Sequence, residues 1–311
     1  MRLSVVVTTY RRLTCLKRCL EGLTQQETQP KDIIVVYRPA DDPRTAQFLH
    51  NVDKAAFRVP LFAIPVHEPG AVPALMAGVT ASDAEIVAAT DDDAIPRSDW
   101  LTKLASHYRE GVGGVGGRDV IHLGATTSTD SATTVGILTW YGRLIGNHHA
   151  GRGSPREVDT LKGVNLSFRR ELWEFDHNLR GMGAQVHWEV FLCQQAHRLG
   201  YRLIYDPAAI VDHYPAPRPS GDHRGDWNRE AVANASYNAT LALIAYCPGY
   251  QALVRVGYRL LVGDFGTPGP FRACLAVVQG HPKVLTATIP AMAGVIAAAH
   301  TRISHRSRSA L

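Results

Sequence analysis

Short, wholly apolar segments alternate with segments of helical spacing through the first hundred residues, and this alternation limits the possible folds more than any other feature. Residues 3–9 (LSVVVTT), 32–37 (DIIVVY), 56–64 (AFRVPLFAI) and 84–90 (AEIVAAT) read as strands. Helical patterns over 13–23, 43–52 and 71–81 fall between them. Strands with no polar face are buried on both sides, and parallel pairing needs crossovers of this length. An α/β fold built on a Rossmann-like sheet is expected. Ligands of such sheets sit outside the carboxyl ends of the strands. That rule puts Thr9, Tyr10, Tyr37, Arg38 and the run Asp91, Asp92, Asp93 on the functional rim.

Three adjacent carboxylates at the end of a buried strand repel one another, and burying an unpaired charge is costly, so they need solvent or a cation. Side chains alternate along a strand, which lets Asp91 and Asp93 project to one side. A D-x-D pair suits one hard divalent cation shared with a diphosphate. A solvated acidic loop, or a cap for the helix starting near Pro96, accounts for the same residues. The glycine run GVGGVGG comes too late in the chain, and in the wrong context, to be a dinucleotide fingerprint. It reads as tight turns or close backbone packing. Residues 122–159 have weak periodicity and form either a functional loop or a pair of hairpins. A strand at 164–169, a helix at 188–199, a strand at 201–206 and a helical region from about 228 onward follow.

With 311 residues and 45% hydrophobic content, the chain can form one large domain, or a domain with an appendage. Its five cysteines show neither zinc spacing nor a disulfide framework, which favours a reducing compartment. The N-terminal apolar run lacks a cleavage site and reads as a strand, so cytoplasmic residence is expected. The net charge is +5, and the end of the chain carries Arg302, Arg306 and Arg308 without an acid. Such an end fits either a solvated terminus or one near anionic lipid or nucleic acid. Residues 284–299, interrupted by Pro290, fall short of the roughly 20 needed to span a bilayer and read as a packed or interfacial helix.

Taken in order, LSVVVTTYRR, AEIVAATDDDAIPRSDWL, LKGVNLSFRREL and GAQVHWEVFLCQQAHRLGYRLIYDPAAIVDH resemble the motifs of family 2 glycosyltransferases. The resemblance implies a GT-A fold, a Rossmann-like mixed sheet flanked by helices, over residues 1–225. Within it, a nucleotide-binding half of about 1–120 precedes an acceptor half of about 121–225, and 226–311 form a helical C-terminal extension. It further implies an inverting transfer from a nucleoside-diphosphate sugar to a sugar or lipid-linked glycan acceptor, in bacterial glycan or glycoconjugate synthesis. Asp91, Asp93 and His213 match positions that hold a divalent metal, Mn or Mg. Thr9 and Tyr10 match the donor-binding rim, where Arg38, Asp91 and Asp92 are further donor-binding candidates, and Glu189 matches the general base. His187 is a lesser candidate for the base, and Trp188 a candidate sugar platform.

The chain departs from the family pattern in three places. Tyr37-Arg38 replaces the usual acidic pair after the second strand, leaving Asp41 or Asp42 to contact the base, or Arg38 to meet a phosphate. Leu75-Met76 replaces Arg-Asn, and HWE replaces Glu-Asp. Lys162 is a candidate for the diphosphate, and His148 and His149 are candidates in an acceptor loop. Arg255, Arg259 and Arg272, interleaved with Tyr258, Leu260, Leu261, Phe265 and Phe271, suit peripheral contact with the inner face of the plasma membrane, or ordinary packing. No nucleic-acid partner is expected. A non-catalytic nucleotide-sugar-binding module and a Mg-dependent nucleotidyltransferase are the alternatives, although TTYRRLT lacks the phosphate loop of the latter.

Overall fold

A computed structural model describes residues 1–53, 57–124, 126–217 and 228–309, with side chains through Ile303. The first half contains β1 (Leu3–Thr8), α1 (Leu13–Thr24), β2 (Ile33–Tyr37), α2 (Pro43–Asn51), β3 (Leu61–Pro65), α3 (Ala71–Ala81) and β4 (Ile86–Asp91). Strand β1 pairs in parallel with β2 and β4, and β2 with β3. Alternate residues of the apolar strands feed two cores. Val6, Ile34, Val36 and Ala89 pack beneath α3, while Val5, Val7, Ile33 and Val35 pack beneath α1. The third strand begins later than expected, at Leu61, because Pro60 has no N–H for the ladder. The expected start at Ala56 lies outside the described residues.

The chain continues through β5 (Ala94–Pro96), α4 (Trp100–Ser106), β6 (Val112–Leu123), β7 (Thr126–Thr127), β8 (Ile137–Leu138), β9 (Leu144–Ile145), β10 (Arg156–Val158), β11 (Asn165–Arg169), α5 (Trp188–Arg198) and β12 (Arg202–His213). The main sheet has the order β10-β12-β6-β11-β4-β1-β2-β3. Strand β11 runs antiparallel to both β4 and β6, so the sheet is mixed. The unresolved choice over 122–159 goes partly to hairpins, since β7 pairs with β6 and β8 with β9.

The glycine run is a central strand, and close packing explains it. A Cβ on Gly114 would lie 2.7 Å from the Phe168 ring, and one on Gly117 only 1.8 Å from the Ala209 carbonyl oxygen. That approach accompanies a register shift in β12 between Asp206 and Ile210, after which β12 continues alongside β6 to His213. The strand expected to end at residue 206 therefore carries His213 to the rim.

Helices α6 (Arg229–Ala245), α7 (Gly249–Leu261), α8 (Pro270–Val278) and α9 (Leu285–Ser309) complete the described chain. The expected domain boundary at 225/226 falls outside the described residues. Asn228 caps α6, its Oδ1 accepting from the N–H groups of Glu230 (2.9 Å) and Ala231 (3.2 Å). Val190 and Phe191 of α5 pack on Ala242, Leu243 and Ile244 of α6, joining the helices to the sheet domain. By length and composition Pro282–Ile303 could cross a membrane, yet Ala287 and Ala291 are buried against Val232 of α6. A Cβ on Gly294 would lie 2.3 Å from the Ala233 carbonyl oxygen, so this face of α9 is held close.

Gly117→Ala is expected to cost about 3 kcal/mol or more, because the obstacle is backbone. Gly257→Ala on α7, with nothing within 4 Å of the added methyl, should be neutral or stabilising by up to about 1 kcal/mol. Urea denaturation of the two variants measures the difference.

Candidate active site

A cavity of about 250 Å³ opens at the carboxyl ends of β1, β2 and β4 and is lined by Thr9, Tyr10, Arg38, Asp91, Asp93, His213 and Glu189, among others. Most of the residues singled out in the sequence thus meet in one place. Asp92 does not join them. Its side chain is fully buried, and its Oδ2 accepts from Thr9 Oγ1 at 2.7 Å. Strand alternation sends Asp91 and Asp93 into the cavity and Asp92 into the fold, which removes it from direct reach of a donor.

Burial pushes the Asp92 carboxyl up to about 7, and Arg12 pulls against that shift. The Arg12 guanidinium lies 2.6 Å from Asp92 Oδ1 and 3.1 Å from Asp93 Oδ2. Sequence reading missed Arg12. The available signal was an arginine just past one strand end, with three acids at the end of a later strand.

Asp91, Asp93 and His213 each offer a ligand atom, and these atoms lie within 4.8 Å of one another. Asp93 Oδ1 and His213 Nε2 face each other at 3.5 Å, longer than a normal N–H···O hydrogen bond. Both atoms are buried and have no hydrogen-bond partner. Buried polar atoms are normally satisfied, so an oxygen and an imidazole nitrogen aimed at the same point fit a divalent cation. Burial opposes ionisation of Asp93, but His213, Arg12 and the Ala216 N–H, which donates to Oδ2 at 2.9 Å, hold its pKa below the usual range.

The other imidazole nitrogen, Nδ1, points to Asp119 Oδ2 at 3.5 Å, and Lys162 donates to the same oxygen. Asp119 is fully buried on β6 and was also missed. Its signal was an acid inside an otherwise buried strand. Lys162 lines the cavity and pairs with Asp119, the local-acid alternative of the two expected for it.

At the other end, the Arg38 guanidinium lies 4.4 Å over the Tyr10 ring, and its Nε donates to Asp41 Oδ1 at 2.8 Å. Tyr10 also donates to Asp41, at 2.8 Å. The Arg38 bond is the main reason the Asp41 carboxyl falls to about 2. Asp42 is buried and committed elsewhere, accepting from the Arg11 N–H at 2.6 Å and capping α2 through the Thr45 N–H. Neither acid lines the cavity; Tyr10 and Arg38 do. Leu75 is buried and Met76 packs against the same core, so the residues replacing Arg-Asn serve packing.

Glu189 stands in the first turn of α5, where the helix dipole favours a carboxylate. The turn before it is left-handed, with φ 73° at His187. His187 does not line the cavity, and burial followed by the charge of Arg259 lowers its pKa to about 4. Trp188 lines the cavity and stacks on Trp173. Gln185 anchors the approach to α5, its Oε1 accepting from the Val72 N–H at the start of α3 (2.9 Å). The acceptor-loop candidates are elsewhere: His148 is buried, 2.8 Å from the Thr160 carbonyl through Nε2, and His149 lies 3.6 Å from Asp130.

The profile of glycosyl transferase family 2 matches residues 4–173. A curated relative, the glucosyl-dolichyl phosphate glucuronosyltransferase of Haloferax volcanii, is 23% identical over 236 residues, covering 68% of this chain and 69% of its own. The fold is similar to that of S. aureus TarS 1-349 in complex with UDP-GlcNAc, with TM-score 0.61, 13% identity, and 99% and 92% of the two chains covered. The chain spans 46% of the longer TarS structure. It is also similar to the mannosyltransferase PcManGT from Pyrobaculum calidifontis in complex with GDP-Man and Mn2+, with TM-score 0.53, 16% identity, and 97% and 87% covered. The chain belongs to glycosyl transferase family 2 and is a glycosyltransferase of GT-A fold.

Arg12→Met should destabilise the protein by about 2–4 kcal/mol, because it strands the buried Asp92 carboxylate. Adding Asp92→Asn should restore part of the loss. A double-mutant cycle in urea reads the coupling.

Proposed function

We propose that this glycosyltransferase is metal-dependent and inverting, moving a sugar from a nucleoside-diphosphate donor to a hydroxyl of a glycan or lipid-linked glycan acceptor. The observation that carries the reading is that the Asp91, Asp93 and His213 ligand set and Glu189 share one cavity. The relatives support the donor class, since two of them are complexes with UDP-GlcNAc and with GDP-Man and Mn2+. The name of the curated relative supports a lipid-linked acceptor in glycoconjugate synthesis.

Asp91, Asp93 and His213 would hold a divalent cation, which when bound neutralises the charge of the departing nucleoside diphosphate. Arg12 and Asp119 keep two of these ligands in place through the contacts already described. Tyr10 and Arg38 receive the nucleoside end, with Arg38 fixed by Asp41. Glu189, on the acceptor side, takes the proton from the acceptor hydroxyl as that oxygen attacks the anomeric carbon. The new glycosidic C–O bond forms opposite the C–O bond to the diphosphate, which breaks with both its electrons leaving on the diphosphate. A single displacement of this kind inverts the anomeric configuration.

Calorimetric titration with a panel of uridine and guanosine diphosphate sugars tests the metal assignment. Mn2+-dependent binding of at least one donor is expected, and Asp93→Asn or EDTA should remove that dependence. Binding unaffected by both would overturn it. For Glu189→Gln, donor affinity should stay within about threefold while transfer falls about 10²–10⁴-fold. Near-normal transfer in that variant would place the base elsewhere, and donor hydrolysis without acceptor must be subtracted.

A further inference from the structure

Helices α7, α8 and α9 are turned inside out relative to ordinary water-soluble helices. On α8 the buried residues are Ala273 and Ala276, while Phe271, Leu275 and Val278 are exposed at i, i+4 and i+7, Val278 at 85%. On α9 the buried residues include Ala287, Ala291 and Ala298, while Leu285, Ile289, Ile296 and Ile303 are exposed along the opposite stripe. On α7 the buried face is Ala252, Arg255 and Arg259, and Tyr250, Leu253 and Leu261 face outward. Folding in water places large apolar side chains inward, and a stripe of them outward on adjoining helices marks a surface for another apolar phase.

Charge decides which phase. Residues 265–311 contain Arg272, Lys283, Arg302, Arg306 and Arg308 and no aspartate or glutamate. Lys283 lies exposed at the turn between α8 and α9. A symmetric contact between two copies through α8 and α9 would bring like charges together without an acid on those helices to answer them. An anionic lipid surface supplies both the missing negative charge and the apolar layer below it. The buried face of α9 stays on α6 through Ala287, Ala291 and the close approach at Gly294, which fits a helix lying in the interface and not one crossing it.

We propose that the outward face of α7, α8 and α9 docks on an anionic bilayer, with the apolar stripes at the acyl boundary and Lys283 among the headgroups. This depends on no step of the catalytic reading, and it would bring the enzyme to a lipid-borne acceptor if it has one.

Co-sedimentation of the full chain with vesicles of phosphatidylcholine, with and without about 30% phosphatidylglycerol, tests the proposal. Binding should be at least about tenfold stronger to the anionic vesicles and should weaken with salt. The triple variant Phe271→Ser, Leu275→Ser, Val278→Ser should lower it about tenfold or more, and Lys283→Glu should lower it further. Both variants should keep the wild-type melting temperature and nucleotide affinity, because the altered side chains are exposed and none of them lines the cavity. Alkaline carbonate should release the bound protein. Absence of binding to anionic vesicles, binding unchanged in the triple variant, or resistance to carbonate would each overturn the proposal. So would an oligomer in light scattering that the triple variant dissolves without any lipid binding.

Discussion

Three consecutive aspartates at the end of a central strand put the greatest electrostatic load on this fold, and the Arg12 ion pair answers it. The guanidinium touches Asp92 inside the protein and Asp93 at the cavity, so one cation stabilises both a fully buried carboxylate and one that lines the cavity. Thr9 adds a neutral donor to Asp92, and the Ala216 N–H a second contact to Asp93. With those contacts made, Asp93 can present its remaining oxygen to His213 without carrying the whole desolvation cost alone. The same logic runs through Asp119, a buried acid held by Lys162 that faces the far nitrogen of His213. A carboxylate in that place orients an imidazole for ligation.

The other half of the site depends on how the C-terminal helices hold the segment leading into α5. Asn238 of α6 accepts from the Arg180 N–H at 2.8 Å and donates to the Arg180 carbonyl at 2.9 Å, and the Arg180 guanidinium stacks 3.8 Å over Tyr237. Gln185 ties the same segment to α3. Glu189 is thereby placed from two sides, by α3 and by α6. The extension is part of the scaffold of the cavity, and its outward face remains available for another role.

Much of this was legible in the sequence, for particular reasons. The apolar runs of β1, β2 and β4 had to be buried strands because they have no polar face. The D-x-D spacing put Asp91 and Asp93 on one side because strand side chains alternate. The glycine run was ambiguous, since glycine permits turns and close packing alike, and only the Phe168 ring and the Ala209 carbonyl show that packing is its role. Arg12 and Asp119 carry no local signal strong enough to single them out. Asp92 illustrates the opposite error, because a residue inside a matching motif was expected at the donor and the pleat turns it into the core.

By itself, the sequence determined the alternation of buried strands and helices, the rim on which the carboxylates sit, and the residue types able to hold a cation and take a proton. These follow from periodicity and side-chain chemistry, which are local. The tertiary structure alone decided which residues meet: Arg12 with Asp92, Asp119 with His213, Asp41 with Arg38, and Glu189 in one cavity with Asp91, Asp93 and His213. It also decided that β12 extends past its register shift to carry His213 to the rim, and that the C-terminal helices turn their large apolar residues outward. Such pairings depend on strand order and long-range packing, so separation along the chain gives no measure of them.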